Sequence, residues 1–451
     1  MTYLEAVDLI RDIESRYDLM KVKYKGISVW PLLRINIIDA ISGNNKTMKS
    51  TGSSAIKQVL STLFYYNPLN YFKRKPIWLF AGFERRKMVG GLKQLRISGC
   101  VVKAFPDTLV IEKPGKEQTA CPRSIIPEKT IVSESWLLLF VHVLAIFMRC
   151  GKIKLHNEAI LTQALNENKI QFDYNNALRI FASQKKVFDL LLEITHNPKK
   201  VIIECPYTIM GYVWALHQKG IPVIELQHGV LNDKHYAYNS LYSSQILYPD
   251  EICVFGEDEY QYLINDNCHY CKKVYKTGLY FMDLAKHNFI DDAFKEYRNK
   301  YGYIILVAGQ RGYEDAMADY VNEVAKRTPN CLYVYVPRNN DAGLDFNQNN
   351  IIYRPGANIY EYMIWCDVHL TISSTTCLEC QYYKKPTIFY NYSDMSVNYY
   401  SKVLKPENGV VYTDSADEYE NALETVLTKV FAYKEVFAMN TVEKIKKVIM
   451  K

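Results

Sequence analysis

Apolar residues recur along this chain with two different periods. Near the start, Leu4, Val7, Ile10 and Ile13 fall three residues apart, the spacing that lines one face of a helix, and residues 1–42 read as helical. A polar connecting stretch follows over residues 43–56. Two short apolar runs, Ile77–Gly82 (IWLFAG) and Leu109–Glu112 (LVIE), are closed by turn residues and read as buried strands. Residues 130–200 read as long helical segments. From residue 201 the pattern becomes an alternation. Strands are expected at Val201–Glu204, Pro222–Leu226, Glu251–Phe255 and Lys273–Thr277, with helices at Tyr207–Lys219 and Glu257–Ile264. After a connecting segment over residues 281–300 the alternation starts again. Its strands are Tyr303–Ala308, Leu332–Val336, Val368–Ser373 and Pro386–Tyr390. Its helices are Tyr313–Arg327, Ile359–Cys366 and Thr375–Tyr383, and a helical tail covers Asp417–Lys451.

Strands of four to six apolar residues that alternate with helices build parallel sheets covered by helices on both faces. The expected fold is therefore α/β, with two Rossmann-like domains facing a cleft and an additional helical N-terminal segment. The expected domains are residues 1–285 for the first and 286–430 for the second, with a C-terminal helix over 431–451. A length of 451 residues suits two or three domains.

Charge narrows the partners. The formal net charge is +7, and its denser basic stretches, Lys73–Lys75, Arg85–Lys87 and Lys444–Lys447, are short and dispersed. A nucleic-acid binder gathers its Lys and Arg on one face, so no nucleic-acid partner is expected. Met1–Tyr17 carries acids and no apolar core, unlike a secretory signal, and the 11 cysteines show no repeated spacing. A cytoplasmic protein with reduced thiols is expected. Two Cys-x-x-Cys pairs, Cys268–Cys271 and Cys377–Cys380, are too far apart in sequence to argue strongly for zinc. No run reaches the roughly 18 apolar residues that span a bilayer. Trp136–Met148 is the nearest, and reads as a buried helix or an interfacial one. Leu60–Lys75, with Phe64, Tyr65, Tyr66, Tyr71 and Phe72 ahead of a basic cluster, also suits a membrane interface. Peripheral contact with the inner face of the cytoplasmic membrane is therefore expected.

The candidate chemistry lies at strand ends. There is no GxGxxG and no GxxxxGK[ST], which removes support for a dinucleotide oxidoreductase or a P-loop NTPase. Nor is there an Asp-x-Asp pair to hold a diphosphate through a divalent ion. A metal-free site without a cofactor is expected, with cations and backbone N–H groups carrying the phosphate charge. Strand VHLTI delivers Ser373, Ser374, Thr375 and Thr376 to a helix start, with Glu379 one turn in. These are donor-site candidates for phosphate and ribose, although Thr376-x-x-Glu379 also fits a capping box. Gln310 and Arg311 follow strand YIILVA, and Arg338 follows strand LYVYV, as further donor contacts. Glu225-Leu226-Gln227-His228-Gly229 places His228 at the carboxyl end of a strand, as a base or a donor to developing charge, with Gly229 permitting a tight turn. Glu204 and Glu257, at other strand ends, complete the catalytic candidates. The basic loop with Arg85 and Arg86, and the polar loop with Lys234 and His235, are the acceptor-side candidates.

ELQHG, VFGEDEYQYL, KTGLYFMD, YIILVAGQ and SSTTCLECQYYKKPTIFYN together resemble bacterial surface-polysaccharide transferases of the GT-B architecture, over about residues 200–415. That group includes capsule and O-antigen sugar transferases and CDP-glycerol glycerophosphotransferases. The opening Val29-Trp30-Pro31-Leu32-Leu33-Arg34 is similar to one seen in such proteins. The resemblance implies sugar transfer from a nucleotide-sugar donor to a lipid-linked or growing glycan acceptor. It implies donor binding by the C-terminal domain through Ser374, Thr375 and Glu379, and acceptor binding by the N-terminal domain with His228 at the cleft. One position departs. Related transferases carry a Lys-Pro-His element after the second strand of the donor domain, and here Val336-Pro337-Arg338 stands in its place. A CDP-glycerol or CDP-ribitol polyol-phosphate transferase and a non-catalytic membrane-associated scaffold are the alternatives.

Overall fold

A computed structural model of the chain describes all residues except 2, 43–51, 230, 232–234, 245, 266–269, 289–292, 311 and 339–342. The chain divides into two compact units. The first comprises Met1–Lys87, Leu92–Tyr280 and Met439–Lys451, and the second Met88–Gly91 and Phe281–Ala438.

The first unit is built on a seven-stranded sheet. Its strands are β1 (Ile77–Gly82), β2 (Thr108–Lys113), β3 (Ile131–Ser133), β4 (Lys200–Ile203), β5 (Val223–Leu226), β6 (Glu251–Val254) and β7 (Lys273–Lys276). Their spatial order is β7-β6-β5-β4-β1-β2-β3, and every pairing is parallel. The second unit holds β8 (Tyr303–Ala308), β9 (Cys331–Val336), β10 (Ile351–Tyr353), β11 (Val368–Thr371), β12 (Thr387–Tyr390) and β13 (Val410–Thr413), again all parallel, in the order β10-β9-β8-β11-β12-β13. Both are doubly wound Rossmann-type sheets. In each, the strand order reverses beside the unit's first strand, between β1 and β4 and between β8 and β11. β1 and β8 are wholly apolar because parallel strands at the centre of such a sheet are covered on both faces.

The helices of the first unit include α1 (Tyr3–Arg16), α2 (Trp30–Ile41), α3 (Gly52–Thr62), α4 (Ser135–Phe147), α5 (Tyr174–Ile194), α6 (Met210–Gln218) and α7 (Glu257–Ile264). α8 (Glu314–Arg327), α9 (Thr376–Tyr382) and α10 (Tyr419–Thr428) belong to the second unit, and the terminal α11 (Thr441–Met450) returns to the first. The helical period read at Val7, Ile10 and Ile13 is real: all three are buried. With Trp30 and Leu33 they share one core with Ile252 and Val254 of β6, so the N-terminal helices cover the sheet. On β1 and β4, Trp78, Phe80 and Ile203 pack beneath Phe188 of α5 and Tyr212 of α6. These two helices approach closely at Gly211, where a Cβ would lie 2.5 Å from Cβ of Gln184 and 2.6 Å from the carbonyl of Phe181.

Two small two-stranded sheets escape the sequence pattern: Lys23–Tyr24 with Ile27–Ser28, which interrupts the stretch 1–42 expected to be helical, and Arg86–Val89 with Leu92–Leu95. In the two large sheets three strands escape it: β3, β10 and β13. Each is only three or four residues long, and each lies at a sheet edge. Edge strands have one covered neighbour and show no long apolar run, so only pairing identifies them. β3 corrects the start of the helical segments expected over residues 130–200. The segment over 281–300, expected as a connection, instead forms helices Tyr280–Asn288 and Ala293–Lys300. The tail is not one helix: α10 and α11 are separated by irregular chain.

Candidate functional site

Ligands of doubly wound sheets bind beyond the carboxyl ends of the strands, where the order reverses. In the first unit that position holds an open pocket of about 420 Å³, lined by Gly82, Arg85, Lys113, Glu134, Glu204 and Cys205 among others. Glu204 ends β4. Its buried carboxylate accepts from the Ser98 hydroxyl at 2.6 Å, and the Arg85 guanidinium stands 3.5 Å away. Burial raises its pKa, while Arg85 and then Ser98 oppose that shift. Arg85 is partly exposed and also reaches the Glu204 carbonyl at 3.4 Å. On the other side of β1, Lys113 ends β2 and Glu134 follows β3, and burial likewise raises the Glu134 carboxyl against the pull of Lys113. The pocket thus gathers two cations and two acids around the end of one strand.

Beside it, His228 follows β5 and lies within a ring of aromatic side chains. Its Nε2 is 3.0 Å from the Tyr207 hydroxyl and its Nδ1 is 3.4 Å from the Tyr238 hydroxyl. Tyr238 donates to Glu225 Oε1 at 2.5 Å, and Tyr270 donates to Glu225 Oε2 at 2.6 Å. Glu225 has no exposed surface, and burial pushes its carboxyl up to about 8 despite these bonds. His228 is pulled down to about 3, first by burial, then by the charges of Arg85 and His235. At neutral pH the imidazole is therefore uncharged and Glu225 is largely protonated. The 3.8 Å approach of His228 to Glu225 is a contact of neutral groups, not an ion pair. Each ring nitrogen of His228 thus faces a tyrosine hydroxyl, and a neutral imidazole donates through one nitrogen and accepts through the other.

The loop behind is held from the N-terminal helices. Arg34, fully buried in α2, donates to Glu14 Oε1 at 2.7 Å, to Asn239 Oδ1 at 3.0 Å and to the Tyr236 carbonyl. The tryptophan of the same Val29–Arg34 stretch, Trp30, donates to Glu14 at 2.8 Å. That sequence motif is the clamp on the turn that carries His235, whose ring stacks on Tyr236 at 5.4 Å and which burial lowers to about 4.

In the second unit the equivalent strand ends carry Gly309 and Gln310 after β8, Arg338 after β9, and Ser373, Ser374 and Thr375 after β11. A Cβ at Gly309 would lie 3.0 Å from Cα of Pro337 and 3.1 Å from N of Arg338, so glycine is what lets these loops touch. Arg338 and Thr375 are exposed, and Gln310, Ser373 and Ser374 are half-buried. The capping box does not form. The Thr376 hydroxyl donates to Ser374 Oγ at 2.9 Å and lies 3.0 Å from His369 Nε2, while Glu379 accepts from Tyr360 at 2.9 Å and is nearly buried.

Several expectations need correction or lie elsewhere. Arg86 is not an acceptor contact. It is 3% exposed, bound to Glu112 at 2.5 Å and Glu128 at 2.8 Å, and serves to neutralise two buried acids. Glu257 is exposed on the first turn of α7, where it pairs with Lys276 and accepts from Gln261 at 2.6 Å. The α7 carboxylate that reaches ELQHG is Glu259, 3.2 Å from Gln227 Nε2. Gly229 lies at a bend of the chain, but it has no positive φ and a Cβ there would meet nothing within 4 Å, so its backbone does not require glycine. Lys234 and Arg311 lie outside the described residues. Cys377 and Cys380 are buried in an apolar cluster with Phe389 and Leu404, or beside it. Among the described residues no group of three His, Cys, Asp or Glu side chains is placed to hold a metal ion. Lys113, Glu134 and Tyr207 were not anticipated. Lys113 ends β2 and Glu134 follows β3, so the strand-end rule that singled out Glu204 finds them once those strands are known.

No family model and no curated protein matches the sequence. Solved structures do match in fold. UDP-GlcNAc 2-epimerase from Methanocaldococcus jannaschii aligns with a TM-score of 0.53 at 11% identity, over 83% of this chain and 99% of that one. UDP-GlcNAc 2-epimerase from Neisseria meningitidis bound to UDP-GlcNAc gives 0.49 at 12% identity, over 83% and 99%. The glycotransferase of kitacinnamycin gives 0.47 at 10%, over 83% and 94%. The first likeness establishes the fold: two Rossmann-like units of the GT-B class.

Proposed function

We propose that the chain is a glycosyltransferase that moves a sugar from a nucleotide-sugar donor to a hydroxyl of a lipid-linked or growing glycan. The setting is bacterial surface polysaccharide, O-antigen or capsule, at the inner face of the membrane. The observation that supports this reading best is the Ser98–Glu204–Arg85 group at the strand reversal of the first sheet, an acid and a cation opening together into one pocket. A fold shared with a protein named for UDP-GlcNAc points the same way.

In this reading Glu204 takes the proton of the acceptor hydroxyl. Its desolvated carboxylate is more basic than one in water, which suits a general base. The hydroxyl oxygen bonds to the anomeric carbon, and the bond from that carbon to the donor phosphate breaks with its electron pair on the nucleotide. Arg311 and Arg338, with Gln310, Ser373, Ser374 and Thr375, stabilise the leaving phosphate, and Glu379 accepts from ribose. Neutral His228 offers its unprotonated ring nitrogen as a second acceptor, and Arg85, Lys234 and His235 bind the glycan. In this reading cations and backbone N–H groups, rather than a metal ion, carry the phosphate charge.

The test is a mass-spectrometric screen of CDP-, UDP- and GDP-sugars and CDP-glycerol with lipid-linked acceptors. A product heavier by one glycosyl unit is expected, insensitive to chelator. Gain of a polyol phosphate establishes the phosphotransferase alternative instead, and an isomerised donor without acceptor establishes an epimerase. Glu204→Gln is expected to lower kcat about 100-fold or more, and His228→Ala a comparable amount. Transfer at the parent rate by either variant removes that residue from the mechanism.

A further inference from the structure

Two stretches far apart in sequence, each apolar and aromatic, meet on the surface of the first unit. α3 and the turn after it bring Leu60 and Phe64, and α4 brings Phe140, Ile146 and Phe147, all at least half exposed. The two elements are fixed together. Thr62 and Ser135 share a hydrogen bond of 2.7 Å, and the Trp136 indole donates to the Leu63 carbonyl at 3.0 Å. The Phe64 ring packs on the edge of Trp136 at 5.3 Å, and Trp136 stands 6.3 Å from Phe140, so one row of rings joins both helices. On α4 the opposite face, Leu137 and Val141, is in the core. Apart from buried Ser135 and exposed His142 this helix is apolar all round, while only half of it is covered. With 13 residues it is too short to cross a bilayer, and among the described residues no helix is long and apolar enough to do so.

The charge around this face singles out its occupant. Residues 52–75 contain four Lys or Arg and residues 135–157 contain three, and neither stretch contains Asp or Glu. These seven positive charges equal the formal net charge of +7 of the whole chain, so the rest of the molecule is balanced. Lys75 pairs with Asp107 and Lys152 with Glu158. Lys57, Lys73, Arg74, Arg149 and Lys154 are exposed and form no ion pair among the described residues. Exposed aromatic rings and unpaired cations carried by the same two stretches of chain match an anionic lipid surface: the rings enter the headgroup boundary and the cations meet lipid phosphates. A second copy of the chain would bring the same positive charge to the face and be repelled.

We propose that this face docks the first unit on an anionic bilayer, with the apolar side of α4 lying in the headgroup plane. The proposal deepens the membrane contact included in the transferase reading and rests on it only for its purpose, not for its observations.

Flotation of the full chain with vesicles tests it. The chain is expected to float with phosphatidylcholine vesicles containing phosphatidylglycerol, to stay behind with phosphatidylcholine alone, and to be released by salt. Phe64→Glu with Phe147→Glu should weaken binding roughly tenfold or more. Lys73→Gln with Arg74→Gln should weaken it about fivefold per cation removed. Both variants should keep the parent Tm, since the replaced side chains are exposed. No flotation with either vesicle, or undiminished binding by the Phe64→Glu, Phe147→Glu protein, overturns the proposal. So does a dimer in light scattering that this variant turns to monomer while vesicles capture neither form. Transfer to a short water-soluble acceptor separates the two readings. Retained transfer without flotation removes only this surface, and flotation without transfer to any acceptor removes only the enzymatic reading.

Discussion

Glu225 shows how far one residue's environment can move its chemistry. Nothing about Glu in ELQHG distinguishes it from the exposed Glu257, yet full burial under Tyr238 and Tyr270 keeps it protonated up to about pH 8. The sign of the consequence is definite. The folded state holds this proton from about pH 4.5 to about pH 8 while the unfolded chain releases it, so stability contributed by the neutral acid is present below that window and falls as pH rises through it. Glu225→Gln keeps an acceptor for one tyrosine and has no proton to lose. Urea denaturation should show the parent losing stability from about pH 5 to about pH 8, by up to a few kcal/mol, and the variant losing distinctly less. Equal slopes for both proteins would mean that Glu225 is already ionised. Arg34 acts at the same scale, since its guanidinium ties Glu14 of α1 to the turn with Tyr236 and Asn239. Arg34→Ala leaves the Glu14 carboxylate buried without its partner, a change expected to cost about 3–5 kcal/mol in chemical denaturation. The motif Val29–Arg34 was visible in the sequence; that its arginine reaches a turn two hundred residues away was not.

Among the elements, the long central strands and the amphipathic helices were legible because their signal is local. β1 and β8 are runs of apolar residues ended by a turn, and α7 and α8 carry acids in the first turn and an apolar stripe. β3, β10 and β13 were not legible, because a three- or four-residue edge strand is defined by its hydrogen bonds to a neighbour. The α5–α6 contact is another property of pairs of elements. Gly211 sits where the two backbones nearly touch, and nothing in the sequence around it (Ile209-Met210-Gly211-Tyr212) marks a close approach. Gly211→Ala should lower stability by about 1–3 kcal/mol, measured by denaturant midpoint, because Gln184 and the Phe181 carbonyl must move to admit the methyl group. A midpoint equal to the parent's would show that the helices separate freely.

For the molecule as a whole, the two sheets repeat one strand order, and each places polar side chains where that order reverses. A chain that binds nucleotides there gains stability by mass action, about 2.7 kcal/mol at a ligand concentration one hundred times Kd. Thermal shift with CMP, CDP, UDP and GDP should therefore show at least one nucleotide raising Tm, and a scaffold without a nucleotide site would show none. The sequence by itself determined the α/β class, the two successive alternations and most strand ends, because these follow from periodicity and turn residues within ten or so positions. Tertiary structure alone decided which strand-end groups share a pocket. It turned Arg86 into the counter-ion of buried Glu112 and Glu128 and left Arg85 at the opening beside Glu204. It also joined residues 60–64 to 136–147 in one apolar surface. The reason is the same in each case: ionisation, burial and exposure depend on neighbours brought in by the chain's long-range pairing, and no local pattern encodes them.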